Sequence, residues 1–490
     1  MRDHYNLCVI GGGPAGEKGA AQAAYFGKSV CLVERAPRAG GAAVHTGTLP
    51  SKTLRETALY FHGLRQRGLY GVDIRVKPDL SIGDFMHRER AVADAAWAAI
   101  DANLARHEVD RIRGTARFVS PDAVEVTHFG DAPRRLTADV FLVATGARPA
   151  RPAGIPFDGR VVVDPDEVLT LSALPGRLVI IGGGTLGCEY AGIFAALGAR
   201  VTLVTDRPRV LGQFDADVSD AVAREMTRRL GVQVATDMVV TDIRVTGDIA
   251  TVTLGDGRIL HADCVLHCVS RVGNAADLGL EVAGVPVGPQ GFIPVDATYR
   301  TANPRIVAAG DVAGLPALAS LAMEEARVAV CHAFGIPYKQ AVSPFIPMPV
   351  WSVPEVASVG LGEEAARGAG VLVETGRAAF RDNARGQILG ETEGFVKLVF
   401  RVDDCRLVGA SVMGEAASEL IHIPAAVLQL GGTLDYFIDA VFNYPTLADT
   451  FKYAAYDGLQ RLSRRVTAAM APRAGGTPSG IPTVPSPDRA

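Results

Sequence analysis

The sequence predicts an α/β protein in which two parallel-sheet domains of similar plan precede a third, C-terminal α/β domain. Two observations carry that prediction. A short apolar run, a glycine-rich turn, a helical stretch and a second apolar run occur in this order twice, over residues 6–34 and 177–205. Glycine, at 54 of 490 residues, exceeds the usual share of about 7%, as a chain with many tight turns and close backbone approaches requires. The two turns begin at Gly11 and Gly182, so they mark a duplicated unit and not a short-period array.

In the first unit, residues 6–10 (NLCVI) read as a strand that Gly11, Gly12, Gly13, Pro14, Ala15 and Gly16 break. An Ala-rich helix follows, and residues 29–34 form a second strand closed by Glu34. Glycines at this spacing let the backbone approach a pyrophosphate at the helix N-terminus, and the terminal carboxylate accepts from a ribose. Residues 53–104 read as mostly helical, before short strand-like runs that end in 140–146. The second unit repeats the plan with Gly182, Gly184 and Gly187, a helix to Leu197 and a strand ending at Thr205. No acid closes that strand. Arg207 and Arg209 follow, a combination that accommodates the 2′-phosphate of NADP, with Asp206 counting against it. Beyond lie an apolar run into Gly310 and Asp311, three prolines over 344–350 that suggest a domain boundary, a strand at 395–400, and a helical stretch over 417–430 interrupted by Pro424. Residues 471–490 hold five Pro, three Gly and two Ser; such a segment buries too little surface to offset its ordering entropy and is expected to be disordered.

The composition narrows the function. A hydrophobic share of 48% and a charged share of 21% exclude wholesale disorder. A net charge of −4 argues against nucleic-acid partners or a polybasic membrane surface, and no apolar run is long enough to span a bilayer. Seven scattered cysteines do not form a secreted disulfide framework, the first residues lead straight into a strand without a leader pattern, and the ten histidines form no metal-ligand cluster. A cytoplasmic protein without a metal site is expected. Two dinucleotide sites on one chain imply hydride transfer between a resident and an exchanging cofactor, and FAD with NAD(P) is the usual pairing.

Seven ordered motifs then become recognisable: Gly11 to Gly16 with Glu34; Leu49-Pro50-Ser51-Lys52; Ala144-Thr145-Gly146; the second fingerprint with Glu189; Ser270-Arg271-Val272-Gly273-Asn274; Gly310-Asp311; and the run from Asn443 to Asp449. Over about residues 5–465 the chain resembles the pyridine nucleotide–disulfide oxidoreductase family. The resemblance implies an FAD domain from 1–148 and 273–343, an NAD(P) domain over 149–272, a dimerisation domain over 344–466 and a disordered tail over 467–490. It implies a homodimer in which Tyr444 and Asp449 act at the other subunit's flavin, with Lys52 near the reacting ring, Glu189 as its ion-pair partner and Asp311 on the flavin ribitol. Thr145, Gly146, Arg271, Gly310 and Ala319 join the cofactor-binding set.

The departures from the family are informative. Its redox disulfide would occupy positions 43 and 48, where this chain has Ala43 and Thr48, and its His–Glu acid–base pair is replaced by Tyr444 and Asp449. A tyrosine of pKa near ~10 shuttles protons poorly for a dithiol at neutral pH. Disulfide reduction is therefore not expected. The chain is similar instead to the family's soluble Si-specific NAD(P) transhydrogenases, which share His45, Thr48, the Asn-Tyr-Pro-Thr segment and a near match to Ala317-Leu318-Ala319-Ser320. That implies hydride passing from NADPH through the flavin to NAD. Ala43 keeps open a quinone-type acceptor lined by His45, Thr48 and Tyr444. The third alternative is a non-catalytic flavoprotein subunit.

Overall fold

The computed structural model describes residues 2–66, 82–128, 130 and 132–470. The proposed disordered tail lies almost wholly outside this range. The chain opens with β1 (His4–Ile10), α1 (Pro14–Tyr25) and β2 (Val30–Glu34), one residue from the predicted bounds at the second strand and two at the first. A helical excursion follows: α2 (Gly41–His45), α3 (Thr48–Gln66), α4 (Ile82–Phe85) and α5 (His87–Arg106). Strands β3 (Asp110–Arg113), β4 (Thr115–Ser120), β5 (Ala123–Thr127) and β6 (Arg134–Val143) complete most of the first sheet, in the order β3-β2-β1-β6-β5-β4. The central strands pair in parallel and are buried on both faces, which is why they read as continuous apolar runs.

A short ribbon strand, β7 (Ala147–Pro149), leads out of this sheet. The second sheet contains β8 (Val162–Val163), β9 (Arg177–Ile181) and, after α6 (Thr185–Leu197), β10 (Arg200–Val204). Helix α7 (Ala216–Leu230) and β11 (Gln233–Ala235) follow. An antiparallel meander, β12 (Val240–Thr246), β13 (Ile249–Leu254) and β14 (Ile259–Ala262), intervenes before β15 (Cys264–His267) completes the parallel order β11-β10-β9-β15-β8. The chain returns through β16 (Arg271–Gly273), antiparallel to β7, so both crossings between the two sheets run side by side. Strand β17 (Ile306–Ala308) then joins the far half of β6, and α8 (Ala319–Ala333) packs on α1.

The third sheet, β18 (Met348–Val350), β19 (Val356–Gly360), β20 (Val373–Ala379), β21 (Phe395–Arg401) and β22 (Leu407–Met413), is antiparallel in the order β18-β19-β22-β21-β20. Its helices are α9 (Glu363–Gly368), α10 (Ala384–Leu389), α11 (Ala417–Leu420), α12 (His422–Gln429), α13 (Asp435–Asp439) and α14 (Thr450–Met470). One expectation is corrected here. The helical stretch breaks at Ile421 and not at Pro424, which lies in the first turn of α12. An N–H in that turn has no helical acceptor, so proline loses nothing by lacking one. Among the described residues no helix is long and apolar enough to cross a membrane.

Strand order reverses direction at β1 and again at β9. A cleft opens where neighbouring crossovers leave to opposite sides, and each glycine-rich turn sits directly after one of these two strands.

Candidate active site

The first fingerprint is built by backbone crowding. Gly11 has φ +103°, and a Cβ there would lie 2.5 Å from the Ala144 carbonyl oxygen. A Cβ on Gly16 would lie 1.8 Å from the Gly11 oxygen, far inside contact distance. Gly13 caps α1 and Pro14 fills its first turn, leaving N–H groups at the helix end for an anion. Ala15 packs against Gly310, where an added Cβ would come within 3.1 Å of the Ala15 Cβ. Glu34, expected to bind a ribose, turns both carboxylate oxygens to the backbone. Its Oε2 accepts from Gly12 N–H at 2.7 Å and its Oε1 from Ala36 N–H at 2.8 Å, so it braces the turn itself.

Across the same cleft, Gly310 (φ +76°) donates its N–H to Glu325 at 2.8 Å and presents Asp311. Burial pushes the Asp311 carboxyl up, while Arg271, with Nε 3.8 Å away, pulls it down. Burial likewise raises Glu325. Arg271 donates to the Ala147 oxygen at 2.7 Å, yet its buried Nε has no hydrogen-bond partner. Thr145 and Gly146 are tied to Asn274: the Thr145 hydroxyl donates to its carbonyl at 2.8 Å, and Asn274 N–H donates to the Gly146 oxygen at 2.9 Å. Ala319 is the first residue of α8. A side-chain-free turn at a helix N-terminus, a half-buried acid and an orphaned guanidinium nitrogen together suit a large polar dinucleotide such as FAD.

Between the two fingerprints, α3 packs on α6. Lys52 on the first of these helices places Nζ 2.7 Å from Oε2 of Glu189 on the second, and Glu189 is 1% exposed. The other carboxylate oxygen accepts the Trp351 N–H at 3.0 Å, and the Trp351 ring lies 4.6 Å from the Lys52 ammonium. A buried carboxylate so supplied meets the requirement that a desolvated charge be paired and hydrogen-bonded. Thr48 begins α3 four residues before Lys52, hence on the same helix face. Ala43 sits in α2, whose His45 bonds through Nε2 to the Ala39 carbonyl at 3.0 Å. Trp351 was not read as a site residue. It follows the proline-rich run of 344–350, and only the docking of the third sheet against α6 brings it here.

At the second fingerprint, Gly182 has φ +117° and a Cβ on Gly187 would lie 1.8 Å from the Gly182 oxygen, repeating the first turn. Gly184 faces open space. The strand ends at Val204, and Thr205 is buried, its hydroxyl accepting the Arg207 N–H at 3.3 Å. Arg207 is largely exposed, with Asp206 at 3.8 Å, whereas Arg209 Nη1 lies 3.4 Å from Glu364 of the third domain. Both arginines therefore carry a carboxylate partner. Tyr444 is 78% exposed and Asp449 sits in a single turn at Leu447–Asp449. No hydrogen bond or ion pair among the described residues ties either to the Lys52 cluster.

The cysteines stand apart from this chemistry. All seven are free. Burial pushes the Cys264 and Cys268 thiols up to about 12 and raises Cys8, with its neighbour Cys31 contributing most there, as well as Cys188, Cys331 and Cys405. Thiols so raised stay protonated and are poor nucleophiles.

A fold of two dinucleotide domains with a third sheet docked on them defines a class, and the chain belongs to the pyridine nucleotide-disulphide oxidoreductase family: that family's model matches residues 5–326 and its dimerisation domain residues 346–455. The protein is an FAD-dependent NAD(P) oxidoreductase. It is 40% identical over 466 residues to a soluble pyridine nucleotide transhydrogenase of Mycobacterium tuberculosis, covering 94% of this chain and 98% of the relative. A soluble pyridine nucleotide transhydrogenase of Pseudomonas aeruginosa is 36% identical over 462 residues, covering 94% and 99%. Among solved structures, LpdA of Mycobacterium tuberculosis superposes with a TM-score of 0.84 at 30% identity, over 92% of this chain and 99% of that one. The HOCl-induced flavoprotein disulfide reductase RclA of Escherichia coli, as its Cu(II) complex, gives 0.83 at 25%, over 93% and 99%.

Proposed function

We propose that the protein transfers hydride between NADPH and NAD by way of its flavin, without a disulfide relay. The observation that carries this reading is the Lys52–Glu189–Trp351 cluster, complete although Thr48, which begins the helix of Lys52, and Ala43 before it have no sulfur. Bound FAD supplies a two-electron carrier that accepts hydride from one nicotinamide and returns it to another. Gly11, Gly13, Pro14, Ala15, Gly16 and Glu34 hold its pyrophosphate and ribose end, and Asp311, Arg271 and Ala319 its remaining polar groups. Thr145 and Gly146, clamped to Asn274, shape the wall between the domains. Gly182, Gly184 and Gly187 seat each nicotinamide nucleotide in turn. Lys52 keeps a positive charge fixed at the junction, because Glu189 and Trp351 leave its ammonium little freedom.

The division into 1–148 with 273–343, 149–272 and 344–466 belongs to this proposal, as do a cytoplasmic homodimer and the placing of Tyr444 and Asp449 at the partner's site. The test is stopped-flow reduction of the flavin by NADPH, followed by separate reoxidation with an NAD analogue and with a quinone. Rapid reoxidation by the analogue is expected. Reoxidation by quinone alone would transfer the assignment to a quinone reductase.

A further inference from the structure

The segment after β10 and the start of α9 cap one another across the domain boundary. Asp215, immediately before α7, accepts the Glu363 and Glu364 N–H groups at 2.9 and 3.1 Å, and Glu364 Oε1 accepts the Ala216 N–H at 3.0 Å. Carboxylates at helix N-termini are favoured by orphan N–H groups and by the helix dipole, so Glu364 is anchored and does not simply swing in solvent. Its two oxygens both lie 3.4 Å from Arg209 Nη1. Asp206 lies 3.8 Å from Arg207. The two cations available to a 2′-phosphate are thus matched by two carboxylates, one local and one supplied by the third domain.

We infer that Glu364 is a specificity-determining residue: by pairing Arg209 it lowers the preference of the second fingerprint for a 2′-phosphorylated nucleotide and keeps NADP(H) and NAD(H) close in affinity. A phosphate binding at Arg209 must share or displace Glu364 and also meets its negative charge, whereas a nucleotide with a free 2′-hydroxyl meets neither cost. This inference rests on the assignment of Arg207 and Arg209 to the 2′-phosphate.

The test uses the FAD-loaded protein and calorimetric binding of 2′,5′-ADP against 5′-ADP at low ionic strength. Glu364→Gln keeps an acceptor for Ala216 N–H but removes the charge. It should tighten 2′,5′-ADP about threefold, the scale of one exposed ion pair, and leave 5′-ADP unchanged. Placed in an Arg209→Ala background, the same change should give less than half that gain. Equal tightening of both ligands, no change, or an undiminished gain without Arg209 would overturn the role of Glu364. If the Arg207→Ala, Arg209→Ala double variant binds both ligands as the parent does, the 2′-phosphate assignment itself fails, and the two failures are told apart.

Discussion

Replacing Lys397 by methionine should loosen the nucleotide domain from the third sheet. Lys397 lies on β21 with its side chain 4% exposed, and its ammonium meets Asp215 at 3.1 Å, Asp217 at 2.9 Å and Glu363 at 3.0 Å. Asp215 is equally buried and Asp217 is 42% exposed. Methionine conserves most of the volume, so the cost is electrostatic: three carboxylates lose their shared cation, and one of them has no route to water. Breaking a buried pair from one side costs about 3–5 kcal/mol. Asp215 retains two backbone N–H donors, which places this case at the lower end, about 3 kcal/mol. The assay is equilibrium urea unfolding at neutral pH, followed by circular dichroism. Adding Asp215→Asn to the variant removes the stranded charge and should recover part of the loss. The sign with pH follows from the two partners. Burial opposes the charge on Asp215, but the Glu363 and Glu364 N–H groups and Lys397 outweigh it and hold its carboxyl below the usual range. Its contribution is therefore full above the unfolded value near ~4 and is lost as pH falls through the folded one. Burial likewise opposes the charge on Lys397, but Asp217, Asp215 and Glu363 raise it, so its contribution is full below the unfolded value near ~10 and is lost as pH rises through the folded one. Parent and variant should differ most between these limits and converge toward acid. A neutral-pH loss under about 1 kcal/mol, or no recovery in the double variant, would refute the buried-cluster reasoning.

Gly187→Ala should cut reduction by NADH and NADPH about tenfold or more, as overpacking of this size implies, while FAD content stays that of the parent. Gly184→Ala, whose Cβ meets open space, should leave thermal stability unchanged and weaken nucleotide binding, read by titrating 2′,5′-ADP; a loss of stability there would contradict the geometry. Lys52→Ala should slow flavin reduction in stopped flow more than it loosens FAD, and purification as apoprotein with normal kinetics after FAD is restored would show the role to be wrong. Trp351→Leu should slow the same step less than Lys52→Ala, because Glu189 keeps the ammonium in place, and Trp351→Phe should restore most of the rate. Dithionite titration should give no long-wavelength thiolate-to-flavin band, since Ala43 and Thr48 supply no sulfur.

The two dinucleotide units were legible because their information is local. A strand buried on both faces must be a continuous apolar run, and a turn in which Gly16 or Gly187 presses on a carbonyl admits no side chain, so both leave a pattern within thirty residues. That Ala43 and Thr48 stand where the family places its redox disulfide is read from two positions five residues apart, but their meaning comes from the family resemblance and not from local pattern. Helix bounds inside the third domain were less so: Pro424 looked like a breaker because proline's cost depends on which turn it occupies, and the break at Ile421 depends on packing. The meeting of Lys52 with Glu189, 137 residues apart, was inferred from family resemblance and not from pattern. Trp351 and Glu364 had no comparable signal. Each acquires its place only when separate sheets dock, since a backbone N–H on Glu189 or a carboxylate on Arg209 is a contact between surfaces that sequence spacing does not encode. Composition and period determined the two cradles of this protein; domain docking decided which charges sit beside them, because Coulombic pairing depends on distance in space and not along the chain.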